Sequence, residues 1–311
     1  MKKHETERKT LSPEDKKDRL NQAKALINKK AGRDVLKWGE LKELKRLLFS
    51  SDELNEITGG GLGVGRFNII WGPKAASKTT SCYGLIGNAQ QEDKLCAWID
   101  LEQSFDPAWA TANGVDVENL IICNEFKDAE EVMDTIMEMT KQQLVDVIVI
   151  DSIQGLSPRG EHETKKGKEK SMDDDTMGLL ARRLGKFFRM SAAGIALSEC
   201  TIVLIGQSRK DLGGFIAFDK LSGGNALEHW SSLTMQIRRG QKANAPARSK
   251  KTGNMVSGSN PDAELCGFEI VAKVEKSKLG ADEGKVARLP FYYGSGFKDQ
   301  GELENDKRQE D

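Results

Sequence analysis

Residues 67–80, FNIIWGPKAASKTT, join an apolar run of strand length to a helical stretch through Gly72, Pro73, Lys74, Ala75, Ala76, Ser77, Lys78, Thr79 and Thr80. A turn that opens on glycine and runs from a strand into a helix points successive backbone N–H groups and the helix N-terminus at one place. That geometry suits a phosphate chain. In such a loop Lys78 reaches the outer phosphate oxygens and the Thr79 hydroxyl can ligate Mg2+. The residue before the lysine is ordinarily glycine. Here it is Ser77, whose Cβ would crowd the phosphate or strain the turn.

Further apolar runs of strand length recur at Cys96–Ile99, Leu120–Cys123, Val145–Ile150 and Ile202–Ile205, with two more at Leu233–Ile237 and Phe268–Val274. Stretches of helical period, Thr79–Gln91, Ala129–Gln143 and Met177–Leu197, lie between most of the first five. The alternation predicts an α/β chain with a mainly parallel central sheet covered by helices on both faces. Ligands of such sheets sit beyond the carboxyl ends of the strands. There the sequence sets Asp100 and Glu102, then Asp151 and Ser152, then Gln207. Asp151 is placed to hold Mg2+ through water. Glu102 could orient and deprotonate an attacking water, and Gln207 could contact the outermost phosphate. Each also has an ordinary structural use: Asp151 as a helix cap, Glu102 as a surface acid, Gln207 as a loop amide. Their convergence on the edge that carries the loop argues for a site.

The chain has 311 residues, of which 38% are hydrophobic, enough for one sizeable α/β core with appendages and too many for wholesale disorder. No run approaches the ~18 apolar residues of a membrane span, and the opening MKKHETERKTLS has no apolar signal core. Five scattered cysteines without a C-x-x-C pair indicate reduced thiols, so a cytoplasmic location is expected. His4, His162 and His229 are too dispersed for a zinc site.

The net charge of −1 is unevenly spread: residues 1–50 carry +7, residues 238–251 hold six bases and no acid, and residues 299–311 carry −4. Basic segments on a near-neutral chain suggest contact with a polyanion, for which an acidic tail can compete; solvated arms are the plain alternative. The pattern divides the chain into a helical arm over 1–50, a core over 51–298 and an acidic, disordered tail over 299–311. Within the arm, Ser12-Pro13-Glu14-Asp15 starts one helix and a second is expected over Asp34–Leu48. Two long polar loops, 157–176 and 208–224, have the size of functional loops. After the first of them, Leu180, Leu184 and Phe187 form an apolar helix stripe, with Arg182, Lys186 and Arg189 on the opposite face.

From about Thr58 to Phe297 the chain resembles the RecA family of DNA recombinases. The resemblance rests on TGGGLGVGRFNIIWGP before the loop, IDLEQSFDPAWATANGVDVENL, VIVIDSIQGLSPRGEHE, LIGQSR, GGNALEHWSS, and KVEKSKLG followed by YYGSGF. It implies a RecA-like P-loop ATPase core that takes ATP and Mg2+. By position it makes Glu102 the catalytic glutamate and Gln207 the link between γ-phosphate and the second DNA loop. Asp106 and Trp109 would contact the adenine, and Lys276 and Lys278 would reach ATP across a subunit boundary. Arg182 and Arg189, with Lys186 beside them, would contact DNA after the first loop. Arg209, Gly223, Gly224 and Asn225 would do so in the second. Arg238, Arg239 and Lys273 would line a secondary site for incoming duplex.

The implied protein is a DNA-dependent ATPase that forms a helical filament on single-stranded DNA, pairs it with homologous duplex and exchanges strands. Its implied partners are both DNAs, further copies of itself, a single-stranded-DNA-binding protein and a loader or mediator, with no membrane. A non-hydrolysing single-stranded-DNA filament, a ring-shaped motor of the same fold and a recombination mediator remain alternatives. The sequence departs from the family at Ser77, at His229 where bacterial members carry phenylalanine, in a longer first loop, and in a reduced C-terminal region like that of phage-type recombinases.

Overall fold

Along Val147–Asp151 the side chains alternate between two apolar layers: Val147 and Val149 enter one, Ile148 and Ile150 the other. Both faces are covered, so the strand reads as one unbroken apolar run. The same holds for its neighbours. The computed structural model describes residues 12–39, 43–163, 178–211, 218–222 and 224–297. In chain order its elements begin α1 (Pro13–Ala31), β1 (Arg46–Leu47), α2 (Asp52–Ile57), β2 (Leu62–Gly63), β3 (Phe67–Gly72), α3 (Lys78–Gln91), β4 (Cys96–Asp100) and α4 (Pro107–Ala112). They continue with β5 (Leu120–Cys123), α5 (Ala129–Lys141), β6 (Val147–Asp151), α6 (Arg159–His162), α7 (Leu179–Ser198), β7 (Thr201–Asp211) and β8 (Phe218–Leu221). The last are α8 (Asn225–Trp230), β9 (Leu233–Arg239), β10 (Pro246–Ser249), β11 (Met255–Ser257), β12 (Ala263–Leu265), β13 (Gly267–Ser277) and β14 (Val286–Tyr292).

The central sheet runs β14-β13-β9-β3-β7-β6-β4-β5, with β8 beside β7. Every pairing from β9 to β5 is parallel, whereas β13 and β14 add an antiparallel edge. All seven apolar runs are strands of this sheet. One face packs under α3 through Tyr83, Leu85 and Ile86; the other packs under α5 and α7 through Val132, Ile136, Leu184, Phe187 and Phe188. The mainly parallel α/β sheet expected from the sequence is therefore present.

Between β9 and β13 the chain folds β10, β11 and β12 into a small antiparallel sheet of order β11-β10-β12. Its root is the buried Glu269, whose carboxylate accepts from the Gln241 N–H (3.0 Å), Asn244 Nδ2 (2.9 Å) and an Arg288 guanidinium nitrogen (3.2 Å). Arg288 is half exposed and contributes little by charge. Glu269→Ala would strand two part-buried donors, so it is expected to lower unfolding free energy by about 2 kcal/mol in a urea titration. A midpoint equal to wild type would show that the root is not anchored there.

Contacts divide the chain into compact units 1–43 and 44–311. In the first, Ser12 caps α1 and Gly32, at φ 64°, ends it. No described residue of the second helix expected over Asp34–Leu48 is helical. The Asn28 side chain instead accepts from Val35 N and Leu36 N and donates to the Leu36 carbonyl, satisfying the backbone without a helix. Farther on, Leu47 and Phe49 are buried while Leu48 is exposed, a strand alternation, and β1 pairs antiparallel with β2. Loop 208–224 is also more ordered than expected at its stem, where β7 and β8 form a hairpin. Gly223, most of the first polar loop (164–176), part of the second (212–217) and the tail 299–311 lie outside the described residues.

Candidate functional site

The loop between β3 and α3 holds Gly72 at φ 154°, Ala75 at 54° and Ser77 at 63°. Ser77 thus occupies the left-handed conformation that glycine adopts without cost, at a penalty of about 1 kcal/mol for a residue with a Cβ. Its hydroxyl donates to the Ala76 carbonyl at 2.5 Å, and its own carbonyl accepts from Ser81 N to begin α3. Lys78 is buried, and burial lowers its ammonium pKa; Asp151 and Glu102 act in the opposite sense. The ammonium donates to the Pro73 carbonyl at 2.7 Å.

Asp151 ends β6, pairs in register with Asp100 at the end of β4, and accepts from the Thr79 hydroxyl at 2.9 Å. Burial lifts its carboxyl to about 6; Glu102 and Asp100 push the same way, against the Thr79 hydroxyl and Lys78. Such a crowd of acids favours an added cation. Among the described residues no three His, Cys, Asp or Glu side chains form a metal cluster unaided. A hydroxyl and a carboxylate beside a phosphate cradle are hard oxygen donors that fit Mg2+ completed by phosphate and water.

Asp100 shapes the backbone: its carboxylate accepts from the N–H groups of Glu102, Ser104 and Phe105 and so fixes the turn after β4. That turn presents Glu102, whose Oε1 accepts from the Ser152 hydroxyl and from Gln207 Nε2, the latter at 2.7 Å. The Gln207 N–H donates to the Gln154 side chain at 3.0 Å, tying the stem of one polar loop to that of the other. Neither this use of Asp100 nor Gln154 was legible: Asp100 turns back onto main-chain N–H groups of its own loop, and Gln154 binds one that only the fold brings near. Trp109 meets the loop helix, its indole N–H donating to the Thr80 hydroxyl at 3.1 Å. Asp106 caps α4 through Trp109 N.

The remaining candidates separate into groups. Arg182, Lys186 and Arg189 are exposed on α7, opposite its buried Leu184 and Phe187. Arg209 is exposed on β7 two residues past Gln207, and Gly224 and Asn225 open α8. Arg238, Arg239 and Lys273 do not form one cluster. Arg238 and Lys273 share a sheet face, since Lys273 pairs with Gln236, two residues before Arg238. Arg239 points to the other face, where it binds the Ala75 carbonyl. Lys276 and Lys278 lie apart from Lys78: register puts Lys276 level with Thr234 and so with Ile69, in the amino-end half of β3. Both ammonium groups donate to carbonyls at the end of α8, Lys276 to Glu228, His229 and Ser231 and Lys278 to His229.

A strand–loop–helix phosphate cradle with acids at the next strand ends defines a nucleotide-binding α/β protein. The RecA N-terminal domain profile matches residues 18–298. A solved structure with a similar fold is that of the RadB recombinase, with a TM-score of 0.55 at 16% identity, covering 79% of this chain and 96% of that one. The chain belongs to the RecA family, as the resemblance read from its motifs implied.

Proposed function

We propose that this protein is an ATP-dependent recombinase: it polymerises on single-stranded DNA, pairs it with homologous duplex and exchanges strands. The observation that carries this reading is the cluster of Lys78, Thr79, Asp151, Glu102, Ser152 and Gln207 at one sheet edge. In this reading the loop N–H groups and Lys78 bind the triphosphate of the substrate ATP, and Trp109 with Asp106 contacts its base. Glu102 accepts a proton from the water that attacks the γ-phosphorus as the bond to the ADP oxygen breaks. Thr79 and Asp151 are the residues that would hold Mg2+, which when bound would supply positive charge against the phosphate oxygens.

Gln207 is suited to report the γ-phosphate because its amide already binds Glu102 while its strand continues into the 208–224 hairpin. Arg182, Lys186, Arg189 and Arg209, with Gly223, Gly224 and Asn225, would grip the phosphates of the first strand, and Arg238 and Lys273 those of the duplex. Such binding is sequence-tolerant and salt-sensitive. Assembly is supported by Lys276 and Lys278, set back from the protomer's own cradle, and by the 1–43 unit, where Leu20, Ile27, Val35 and Trp38 are exposed. A single-stranded-DNA-binding protein and a loader are the expected partners and the cytoplasm the expected compartment; no described helix is long and apolar enough to cross a membrane.

Phosphate release measured with and without single-stranded DNA, with electron micrographs of the same sample, tests the reading. Stimulated release on open helical filaments is expected. Tight binding without release would favour a non-hydrolysing filament, and closed rings a motor. Glu102→Gln should lower kcat about a hundredfold while nucleotide affinity stays within a few-fold of wild type. A kcat near wild type would remove Glu102 from the chemistry.

A further inference from the structure

The phosphate loop is poor in glycine. Between Gly72 and Lys78 there is no other, yet Ala75 and Ser77 both adopt left-handed backbone angles, 54° and 63°. Residues with a Cβ persist there only where their surroundings hold them. Ser77 is held from within, by its hydroxyl and by the first turn of α3. Ala75 is exposed, and its carbonyl is met from outside: Arg239 Nε donates to it at 2.8 Å. The guanidinium is itself fixed, lying 3.9 Å over the Phe268 ring, which stacks on Phe291 at 4.7 Å. Ile237, two residues back on the same face of β9, sets its carbonyl against Gly72 so closely that a Cβ there would lie 1.9 Å away. The loop is therefore seated on the end of β9, with Ile237 against its first residue and Arg239 against its crest.

We propose that Arg239 is a positioning residue for the phosphate loop, holding Ala75 in the conformation that leaves the loop N–H groups convergent. The proposal rests on the reading of this loop as the nucleotide site, and it gives Arg239 a role that requires no DNA. A side chain that serves only as a DNA contact would not alter nucleotide affinity when DNA is absent.

The test is equilibrium binding of the Mg2+ complex of a fluorescent ATP analogue to the full chain without DNA. Arg239→Gln should raise Kd about tenfold, the loss of one charge-assisted hydrogen bond. Arg239→Lys, which keeps the charge and loses the planar fork, should recover only part of this. Adding Ala75→Gly to Arg239→Gln should bring Kd back to within about threefold of wild type, because glycine holds a positive φ unaided. A merely destabilised β9 would not be repaired by that substitution. Wild-type affinity in Arg239→Gln, or no recovery in the double variant, overturns the proposal. Should Arg239→Gln fail to fold, Arg239→Lys with and without Ala75→Gly carries the same comparison. Lys78→Ala separates the two readings: if it binds the probe like wild type, the nucleotide site itself is wrong, whereas if it alone loses the probe, only the role of Arg239 fails.

Discussion

Lys78→Ala is expected to lower kcat/KM for ATP about a thousandfold, the scale for removing a desolvated charge aimed at developing phosphate charge. The residue is buried, and its ammonium is held by one loop carbonyl, that of Pro73. Turning that group onto a phosphate exchanges one hydrogen bond to a neutral carbonyl for bonds to charged oxygens, so most of the interaction appears in binding and in the transition state. Lys74 is exposed on the same loop, and Lys276 and Lys278 are committed to the end of α8. Steady-state phosphate release at saturating single-stranded DNA gives the number, and an unchanged far-UV spectrum shows that the fold survives. Activity within tenfold of wild type would reject Lys78 as the phosphate ligand.

Gly72→Ala should destabilise the fold by about 4 kcal/mol, combining overpacking with a positive φ. The new Cβ would lie 1.9 Å from the Ile237 carbonyl oxygen and 3.0 Å from its carbon. Both are backbone atoms of β9, bound to β3 through the Trp71–Gln236 register, so neither can swing aside. Gly114→Ala is the control: φ is 91° but nothing lies within 4 Å of the added Cβ, and about 1 kcal/mol is expected from the backbone alone. Urea titrations that give the two variants equal losses would show that the contact with Ile237 relaxes.

The inner strands β4, β6 and β7 were the most legible because both sheet faces are covered there, which gives apolar words such as VIVI. The acids followed directly, since Asp100 and Asp151 end their strands and Glu102 is one turn beyond. The segment 34–48 misled because its leucines and lysines fit a helical period. The burial that decides the matter, Leu47 in, Leu48 out and Phe49 in, comes from pairing with Leu62 and Gly63. The contact of Arg239 with the loop, and Gln154 altogether, were hidden for another reason. Each binds a main-chain atom, and a carbonyl or N–H has no letter in a sequence. Arg239 and Arg238 read as a matched pair, but adjacent strand residues face opposite ways.

In the proposed assembly, where Lys276 and Lys278 would reach a neighbour's nucleotide, their hydrogen bonds to α8 would make self-association and the integrity of that helix two sides of one equilibrium. An ammonium offered to a neighbour's nucleotide is withdrawn from the carbonyls of Glu228, His229 and Ser231. An alanine at either position would therefore disturb a monomer and a polymer alike, and its loss of activity alone would not tell which. Amide exchange over 225–231, followed with and without assembly, would separate the two effects.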